Sequence, residues 1–530
     1  MTTEMHPLRW GDPARATSLP DGARALVEAV FGPAPQPAPA HEATGTLPPV
    51  GLAGEVLAAF ATVVGDEHVS TDDDLRRRRT RGKSTTDLLR ARAGDLDDAP
   101  DAVVRPASHD EVADVLAVAV ARHVAVVPFG GGTCVTGGLA ARREGFAGVV
   151  SLDLGRLTDV EVDPVSMTAT LGPGLRGPDA EARLAEHGLT IGHFPQSFEH
   201  ASIGGFAATR SSGQASAGYG RFDALVVGLT VATPTGTMTL GTAPANAAGP
   251  DLRQLVLGSE GAFGVITSVT VRVRAVPEVT TYDGWRWSSF AEGVAALRTL
   301  AQSGLRPTVL RLSDESESAV NLADPNAIAA GNGGGCLMVV GYEGSAARVE
   351  AERSAATDLL ERLGGTNLGE EPGRAWEHGR FAAPYLRDSM LDLGVLVETL
   401  ETATFWSGVD RLYADVKAAL ERVLGAGGAP ALVLCHVSHV YETGCSLYFT
   451  AAARQAGDPV EQWLGAKTAA GDAIVAAGAT ITHHHAIGTD HQPWLGDEIG
   501  AVGVRVLQAV KAELDPTGVL NPGVLVPTDD

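Results

Sequence analysis

The sequence PFGGGTCVTGGL, Pro128–Leu139, decides how the fold of this chain is interpreted. It contains five glycines and follows the apolar run Val124–Val127, which predicts a buried strand. Because glycine has no Cβ, backbone N–H groups can turn inward there and approach an anion such as a pyrophosphate. Taken alone, the stretch is equally compatible with a glycine-rich hairpin or hinge.

Two further glycine clusters follow in the next 150 or so residues. The first is Gly192–Tyr219, which is also rich in serine, and the second is Leu255–Val273, which ends as an alternating strand. The predicted strand Ala224–Val231 lies between them, and an alternating strand is predicted across Val160–Leu171. Three such clusters indicate one large ligand that backbone groups wrap along its length.

The segment Gly172–Gly177 matches the pattern G-x-G-x-x-G, which is typical of nicotinamide dinucleotide sites. Such a site also needs an acidic residue at a strand end about twenty residues later. Gly192 occupies that position, and no carboxylate ends a strand nearby. We therefore interpret the segment as a turn and a helix start, and we reject a nicotinamide site.

The remaining pattern predicts an α+β protein. Ser108 and Glu111 have capping-box spacing and precede an amphipathic helix, and a helical patch is expected near Ala23–Phe31 in a wrapping or poorly ordered N-terminus. From about Pro277 onward, predicted helices alternate with predicted strands: Phe290–Ala301, Ala346–Leu363, Gly408–Leu424 and Gly496–Leu514 for the helices, and Cys336–Gly341, Ala431–Ser438, Cys445–Thr450 and Ala479–Thr482 for the strands.

Composition excludes several classes of protein. The 530 residues predict two to four domains, and 44% hydrophobic with 20% charged residues is ordinary for a soluble globular protein. The net charge of −24 argues against a nucleic-acid partner, since phosphate contacts need cationic side chains. The four cysteines have no metal-ligand spacing, so we expect them to be reduced and mostly buried.

The printed sequence shows no targeting signal of the kinds that can be recognised from residues alone. The N-terminus MTTEMHPLRW has no apolar signal core, no run is long enough to span a bilayer, and the terminal PTDD is not a peroxisomal tripeptide. We therefore expect a cytoplasmic protein. Arg76–Arg79, Arg81 and Lys83 form a basic run, which predicts a solvated surface segment, with peripheral contact to an anionic membrane as the alternative.

The ordered segments together resemble the vanillyl-alcohol-oxidase and p-cresol-methylhydroxylase superfamily of FAD flavoproteins. The resemblance runs from Arg81 to Val526 and depends on the order GGGT, SIGG, SEGxxGVIT and DPxxxLNPG. Within the superfamily the chain is most similar to the alkyldihydroxyacetonephosphate synthases, which make the ether bond of ether lipids. That narrower resemblance depends on RGKSTTDLL, GHFPQSFEHASIGG, YLRDSM, YETGCSLYF and THHHAIG.

The resemblance implies a two-part FAD-binding domain with an inserted α+β cap domain for the substrate. We expect an N-terminal extension at 1–97, the FAD domain at 98–276, the cap at 277–480, and a segment at 481–530 that completes the active site and the FAD domain. It places the cofactor against Pro128, Phe129, Gly130, Gly131, Gly132, Thr133, Cys134, Gln196, Ser197, Ser202, Ala208, Thr209, Arg210, Ser211, Glu260, Gly261, Gly264, Val265 and Ile266. No histidine occurs in Pro128–Leu139, so we expect noncovalent FAD.

The resemblance also assigns catalytic roles. It implies that Arg387 holds the substrate phosphate, that Tyr448 is the acid/base, and that five further residues support activity: His193, Arg311, His483, His484 and His485. The reaction would be redox-neutral. Tyr448 would help to remove a proton from the first carbon of acyl-dihydroxyacetone phosphate, the flavin would hold that carbon while the fatty acid leaves, and a long-chain alcohol would replace it. We expect a homodimeric alkyltransferase.

The residues considered alone leave alternatives open. Arg387 could form an ion pair with Asp388, and Tyr448 could be an amphipathic core residue. On a strand, His483 and His485 would share one face and His484 the other. Tandem histidines without partners at ligand spacing make a weak metal site, so no metal is predicted, and a polar loop with one buried imidazole is the alternative.

The functional alternative is an FAD-dependent D-2-hydroxyacid dehydrogenase of the D-lactate or glycolate type. Those enzymes commonly carry EHGIG where this chain has HHHAIG.

Overall fold

Four β-sheets organise the residues that the computed structural model describes, which are 4–12, 19, 21–33, 45–321 and 334–527. The first is a mixed sheet with the strand order Val69–Ser70, Ala102–Val104, Val149–Asp153 and Ala125–Phe129. Its last three strands are parallel, so the chain must cross over between them, and helix His109–Arg122 makes one of these crossovers.

The crossover helix begins as its sequence predicts. The Ser108 hydroxyl accepts a hydrogen bond from the N–H of Glu111 at 3.1 Å. The Glu111 carboxylate bonds the N–H of Ala107 instead of that of Ser108, so the capping box is incomplete. The strand Ala125–Phe129 then delivers the first glycine loop to the carboxyl end of the sheet, where ligands of parallel sheets bind.

The second sheet has five antiparallel strands in the order Val160–Asp163, Thr168–Leu171, Val265–Arg272, Val226–Thr233 and Gly236–Leu240. The expectation of one strand across Val160–Leu171 is wrong, because a hairpin divides it. Asp163 Oδ1 accepts the N–H groups of Val165 and Ser166, and Met167 has a φ of 54°. Gly172–Gly177 forms the predicted turn and helix start.

The third large sheet has seven antiparallel strands and carries the largest hydrophobic core. Its order is Thr366–Gly369, Val279–Trp287, Cys336–Gly344, Val309–Ser313, Ala431–Val440, Gly444–Arg454 and Val395–Phe405. A two-stranded ladder joins Leu189–Thr190 to Arg274–Ala275. The predicted strand Ala479–Thr482 is wrong, because Thr480 forms only an isolated bridge with Ala403.

Helices cover these sheets. The described α-helices are Asp21–Phe31, Gly54–Val64, Asp73–Arg78, Thr85–Arg92, His109–Arg122, Gly177–Ala185, Ile203–Thr209, Ser216–Tyr219, Phe222–Leu225, Arg253–Val256, Phe290–Gln302, Glu315–Asn321, Ala346–Arg362, Glu371–Gly379, Ala383–Asp392, Val409–Leu424, Pro459–Ala476 and Leu495–Leu514. Short 3₁₀ turns occur at Asp66–His68, Trp406–Gly408, Ala426–Gly428 and Gln492–Trp494. Within the described ranges, no helix is both long and apolar enough to cross a bilayer.

The basic run is not a solvated segment, so that expectation is wrong. Arg76 and Arg79 are 2% and 5% exposed, and Lys83 is 5% exposed. Arg79 bonds Asp153 at 2.7 Å, and Lys83 Nζ donates to the carbonyl oxygen of His6 at 2.8 Å. These three side chains are internal because carboxylates and carbonyl oxygens surround them, whereas Arg77, Arg78 and Arg81 are half-buried.

Two further sequence expectations can be compared with the described residues. All four cysteines are free, and three of them are buried, as predicted. The predicted N-terminal helical patch is the helix Asp21–Phe31, whose end accepts a hydrogen bond from Arg454. The rest of the N-terminal extension that was expected to wrap or lack order lies partly outside the described residues, at 1–3, 13–18, 20 and 34–44. The four domain boundaries stay predictions.

Candidate functional site

A cavity of about 390 Å³ lies between the glycine clusters and the seven-stranded sheet. That volume is in the range of ligand sites in enzymes. Three of the residues proposed from the sequence do not line it: His193, Arg210 and His483. All the others do, namely Pro128, Phe129, Gly130, Gly131, Gly132, Thr133, Cys134, Gln196, Ser197, Ser202, Ala208, Thr209, Ser211, Glu260, Gly261, Gly264, Val265, Ile266, Arg311, Arg387, Tyr448, His484 and His485.

The first glycine loop presents unpaired amides to this cavity. Among the described residues, no acceptor takes a hydrogen bond from the N–H groups of residues 130–134. Gly132 is buried and its four neighbours are half-buried, so five unpaired N–H groups in succession along a cavity wall indicate a ligand that supplies acceptors. A pyrophosphate has the required oxygen atoms.

Close packing of two loops explains why this wall needs glycine. A methyl group on Gly131 would collide with the carbonyl oxygen of His200, and Gly132 has a φ of +69°, which side chains rarely adopt. The loop therefore keeps both its shape and its distance from Ala201 only without side chains.

Glu260 connects the third glycine cluster to the segment after the histidine triplet. Its Oε2 accepts the N–H groups of Ile487 and Gly488, at 3.2 and 2.8 Å, and its own carbonyl oxygen accepts from Asn521 Nδ2 at 2.7 Å. Burial raises the pKa of Glu260 to about 7, even though these amides favour the charged form. The C-terminal segment is thereby held against the cavity.

Arg387 enters the cavity from helix Ala383–Asp392 and has two fixed partners. Its NH1 donates to the carbonyl oxygen of Lys83 at 2.6 Å, and its NH2 donates to Asp388 Oδ1 at 3.1 Å. The other Asp388 oxygen accepts the N–H of Trp10 at 2.6 Å. The ion pair considered from the sequence therefore exists, and it orients a guanidinium that also faces the cavity.

Strand register places three chemically active side chains side by side. Tyr448 is directly opposite Glu401 on one neighbouring strand and His436 on the other. Residues directly opposite each other share one face of an antiparallel sheet. The rings of Tyr448 and His436 stack with centroids 4.9 Å apart, and Tyr448 Oη donates to Thr399 Oγ1 at 3.1 Å.

The protonation of Tyr448 follows from its surroundings. Burial raises its pKa to about 12, and the nearby carboxylates of Glu398 and Glu401 act in the same direction. The neighbouring His485 does not supply a positive charge that would favour a phenolate, because burial lowers its pKa to about 3. The phenol is therefore protonated at neutral pH.

Arg311 belongs to a buried charged cluster beneath Tyr448. Its NH2 lies 3.0 Å from both Glu317 Oε1 and His436 Nδ1, and those two atoms are 2.9 Å apart. Although burial opposes ionisation, His436 and Arg311 hold the pKa of Glu317 at about 2. The cluster fixes the orientation of the imidazole on which Tyr448 stacks.

The histidine triplet is a loop wrapped around the carboxylate of Glu401. Glu401 Oε1 accepts the backbone N–H groups of His483, His484 and His485 at 2.9–3.0 Å, and the hydroxyl of Thr482 at 2.6 Å. Burial disfavours its charge, but the adjoining imidazoles hold its pKa well below its usual range. The triplet is therefore a loop and not part of a strand, because its three successive N–H groups all turn toward one carboxylate.

The path of this loop also changes which imidazoles lie together, since a strand would have placed His483 and His485 on one face. His484 and His485 line the cavity together, whereas His483 points behind it. His483 Nε2 lies 2.5 Å from Tyr441 Oη, and its Nδ1 lies 3.0 Å from His484 Nδ1. His484 Nδ1 is also 3.3 Å from Glu401 Oε2.

His193 and Arg210 take structural positions instead of cavity positions. His193 is 2% exposed, bonds Ser211 Oγ at 3.0 Å and packs between Phe206 and Phe222, so burial lowers its pKa to about 3. Arg210 bonds Asp223 at 3.0 Å and the backbone carbonyls of Gln254 and Leu257, at the start of the third glycine cluster. His193 thereby supports Ser211, which lines the cavity, and Arg210 joins two chain segments beside it.

Several cavity residues were missed from the sequence. Glu398, Thr399 and Glu401 lie on an ordinary-looking strand, and no motif marks them. The pair His436 and His439 was a visible signal, since two histidines in an apolar strand are unusual. The missed cavity residues are Trp10, Glu317, Glu398, Thr399, His436 and His439. Glu401 does not line the cavity but holds the triplet loop beside it.

The cavity has the donors and the shape that a flavin dinucleotide needs. The unpaired amides at 130–134 suit its phosphates, and the side-chain groups Gln196 Nε2 and Ser212 Oγ are buried at the wall with no partner among the described residues. Glycines and small side chains leave room for close approach of a flat ring. The residues present therefore fit FAD.

Comparisons with known proteins agree with this geometry. Residues 100–241 match the family model "FAD binding domain", and residues 276–525 match "FAD linked oxidases, C-terminal domain". The alkyldihydroxyacetonephosphate synthase of Dictyostelium discoideum is 34% identical over 480 residues, which is 86% of this chain and 78% of the relative. A solved alkyldihydroxyacetonephosphate synthase structure superimposes with a TM-score of 0.84 at 29% identity and covers 98% of both chains.

More distant matches show how far the fold extends. The p-cresol methylhydroxylase structure has a TM-score of 0.67 at 16% identity, over 90% of this chain and 98% of that one. The mitochondrial cytochrome-linked D-lactate dehydrogenase of Arabidopsis thaliana is 25% identical over 491 residues, 89% of this chain and 80% of the relative. The fold is therefore α+β and of the vanillyl-alcohol-oxidase type, and sequence identity favours the synthases over the dehydrogenases.

Proposed function

Because this chain belongs to the alkyldihydroxyacetonephosphate synthase family, we propose that it exchanges the acyl group of acyl-dihydroxyacetone phosphate for a long-chain alcohol. The cofactor is noncovalent FAD, which, when bound, supplies an electrophilic ring for the reacting carbon. One observation carries the proposal: Arg387, Tyr448, His484 and the unpaired amides of the first glycine loop all face one cavity.

The proposal gives Arg387 the substrate phosphate. A guanidinium binds phosphate through parallel hydrogen bonds, and its contacts with Lys83 and Asp388 hold it in place before substrate arrives. Binding energy at the phosphate then orients the first carbon of the ketone without acting on it directly.

Leaving-group stabilisation and proton transfer are divided between Tyr448 and the triplet. Because the phenol is protonated at neutral pH, Tyr448 serves best as a hydrogen-bond donor that stabilises the departing carboxylate, and the proton that the incoming alcohol loses balances the charge of that carboxylate. The proton of the first carbon passes to the triplet, where the Glu401 carboxylate lies 3.3 Å from His484 Nδ1 and stabilises the added positive charge. Arg311 positions Tyr448 through His436, and His193 supports the wall through Ser211.

An exchange assay tests the function. The yellow FAD-loaded enzyme is mixed with acyl-dihydroxyacetone phosphate and deuterated hexadecanol, and products are followed by mass spectrometry. We expect labelled ether product and free fatty acid in equal amounts, with the flavin spectrum oxidised at the end. Rapid flavin bleaching by D-lactate or glycolate, without ether formation, would support the dehydrogenase alternative.

Partners and organisation complete the proposal. We assign the enzyme to the cytoplasm and keep the domain boundaries at 97/98, 276/277 and 480/481. We also propose a homodimer, which light scattering after gel filtration tests.

Since both lipid substrates partition into membranes, we propose peripheral membrane contact, which flotation with anionic vesicles tests. Arg76, Arg79 and Lys83 of the basic run are buried and do not take part in such a contact.

A further inference from the structure

Three histidines from two separate segments meet at the wall of the cavity, which His439 and His484 line and His483 does not. His439 comes from strand Ala431–Val440, while His483 and His484 come from the triplet loop. One ring nitrogen of each lies within 4.8 Å of the other two, and His439 and His483 are buried. We propose that these three imidazoles form a binding site for one zinc ion.

The contacts between the rings match what a zinc site requires. Tetrahedral coordination with bonds of about 2.0–2.1 Å places ligand nitrogens about 3.4 Å apart. His483 Nδ1 and His484 Nδ1 are already 3.0 Å apart, which is hydrogen-bond distance. A zinc ion would replace this contact by two metal–nitrogen bonds, and the terminal ring torsion of His439 is soft enough to bring its nitrogen closer.

The surroundings supply the support that metal-bound histidines need. Such histidines donate their second ring N–H to a neighbour, and His483 Nε2 lies 2.5 Å from Tyr441 Oη. Glu401 Oε2, 3.3 Å from His484 Nδ1, balances the charge of the ion. His439 Nδ1 is buried and has no hydrogen-bond partner among the described residues, so a ligand would satisfy it.

Sequence alone could not predict this site. The tandem histidines lack partners at ligand spacing, and His439 lies 44 residues before His483 along the chain. Only the path of the triplet loop around Glu401 brings the two segments together.

Zinc bound at this site should affect catalysis, and this expectation rests on the proposed function. A zinc ion at His484 occupies the imidazole that receives the substrate proton, so zinc should inhibit exchange reversibly and EDTA should restore it. Zinc binding itself does not depend on the reaction, so a binding measurement remains informative even if the protein catalyses something else.

Binding is tested on FAD-loaded, full-length protein that has been stripped with EDTA. Competition against a chromophoric chelator measures the affinity. We expect metal analysis after desalting to give one zinc per chain. X-ray absorption should show nitrogen ligands at about 2.0–2.1 Å. His439→Asn should weaken affinity by at least about tenfold, and Tyr441→Phe by about 10–100-fold. His187→Gln, which changes an exposed imidazole, should bind like the unmodified protein.

Each outcome decides the proposal. Protein that emerges from desalting essentially free of zinc overturns it, as does unchanged affinity in His439→Asn that keeps its FAD. If His439→Asn does not fold, Tyr441→Phe decides, since it removes one hydroxyl and no ligand; unchanged affinity there overturns the site. Retained inhibition by zinc with no loss of affinity in either variant places the ion elsewhere.

Discussion

The carboxylate of Glu401 accepts a hydrogen bond from the backbone N–H of His485 at 2.9 Å, across 84 residues of sequence. The same oxygen accepts the N–H groups of His483 and His484. One buried anion therefore determines the path of the loop that carries His484 and His485 to the cavity wall.

Replacing this anion should damage catalysis more than cofactor binding. In Glu401→Gln, the amide NH₂ group would face backbone donors and leave some of them unpaired, at about 1–3 kcal/mol each. We expect kcat to fall about 10–100-fold while FAD stays bound, measured by exchange kinetics and flavin absorbance. Glu442→Gln, on an exposed turn, is the matched control. Unchanged kcat in Glu401→Gln would mean that the loop holds its shape without the charge.

Arg387→Ala should weaken binding of the phosphorylated ketone specifically. Loss of charged hydrogen bonds worth about 1.5–3 kcal/mol predicts a KM about 10–100-fold higher for the ketone, with the KM for the alcohol little changed. Steady-state kinetics with each substrate varied in turn measures this. Arg374→Ala removes an exposed guanidinium from the preceding helix and should have no effect. Equal kinetics for both variants would exclude the phosphate role.

Tyr448→Phe should keep the cavity intact and remove the hydrogen-bond donor to the leaving carboxylate. Removing one donor to developing negative charge costs about 10²–10³-fold, so we expect a loss of turnover of that size with FAD content unchanged. Tyr282→Phe removes another buried hydroxyl, hydrogen-bonded to Glu377 outside the cavity, and should retain most activity. Near-normal turnover in Tyr448→Phe would mean that another residue acts on the leaving group.

Gly131→Ala should impair cofactor binding. The added methyl group meets the carbonyl oxygen of His200, so the two loops must separate and the amides lose their alignment. We expect purified protein with less bound FAD and at least about tenfold weaker reconstitution, since a few tenths of an ångström matter in a packed wall. Gly379→Ala, where open space surrounds the new methyl, serves as control. Full FAD content in Gly131→Ala would show that the first glycine loop does not bind the cofactor.

Stability should depend on the ionisation of Glu260. Its pKa is raised to about 7 from 4.5, so between these values the folded protein binds more protons than the unfolded chain, and stability falls as pH rises through this window. A shift of this size corresponds to about 3 kcal/mol. Glu260→Gln mimics the protonated form. We therefore expect the Tm of the variant, relative to that of the unmodified protein, to rise between pH 5 and pH 7.5 in differential scanning fluorimetry. A pH-independent difference would mean that Glu260 is already neutral or already charged throughout.

Local pattern predicted most of the fold, because helices and strands depend on periodicity and on nearby caps. The helix at 109–122, the strand before the glycine loop and most elements of the second domain follow from it. It was wrong at Val160–Leu171 and Ala479–Thr482, where single interactions overruled alternation: an Asp163 turn in one case, and the arrangement around Glu401 in the other.

The sequence by itself determined the glycine clusters, the family and many of the residues that line the cavity, since glycine content and motif order are local properties. Tertiary structure alone decided how those residues act. The protonated state of Tyr448, the internal position of the basic run and the meeting of His439 with the triplet all depend on burial and strand register. These are contacts between segments far apart in sequence, and no local pattern records them.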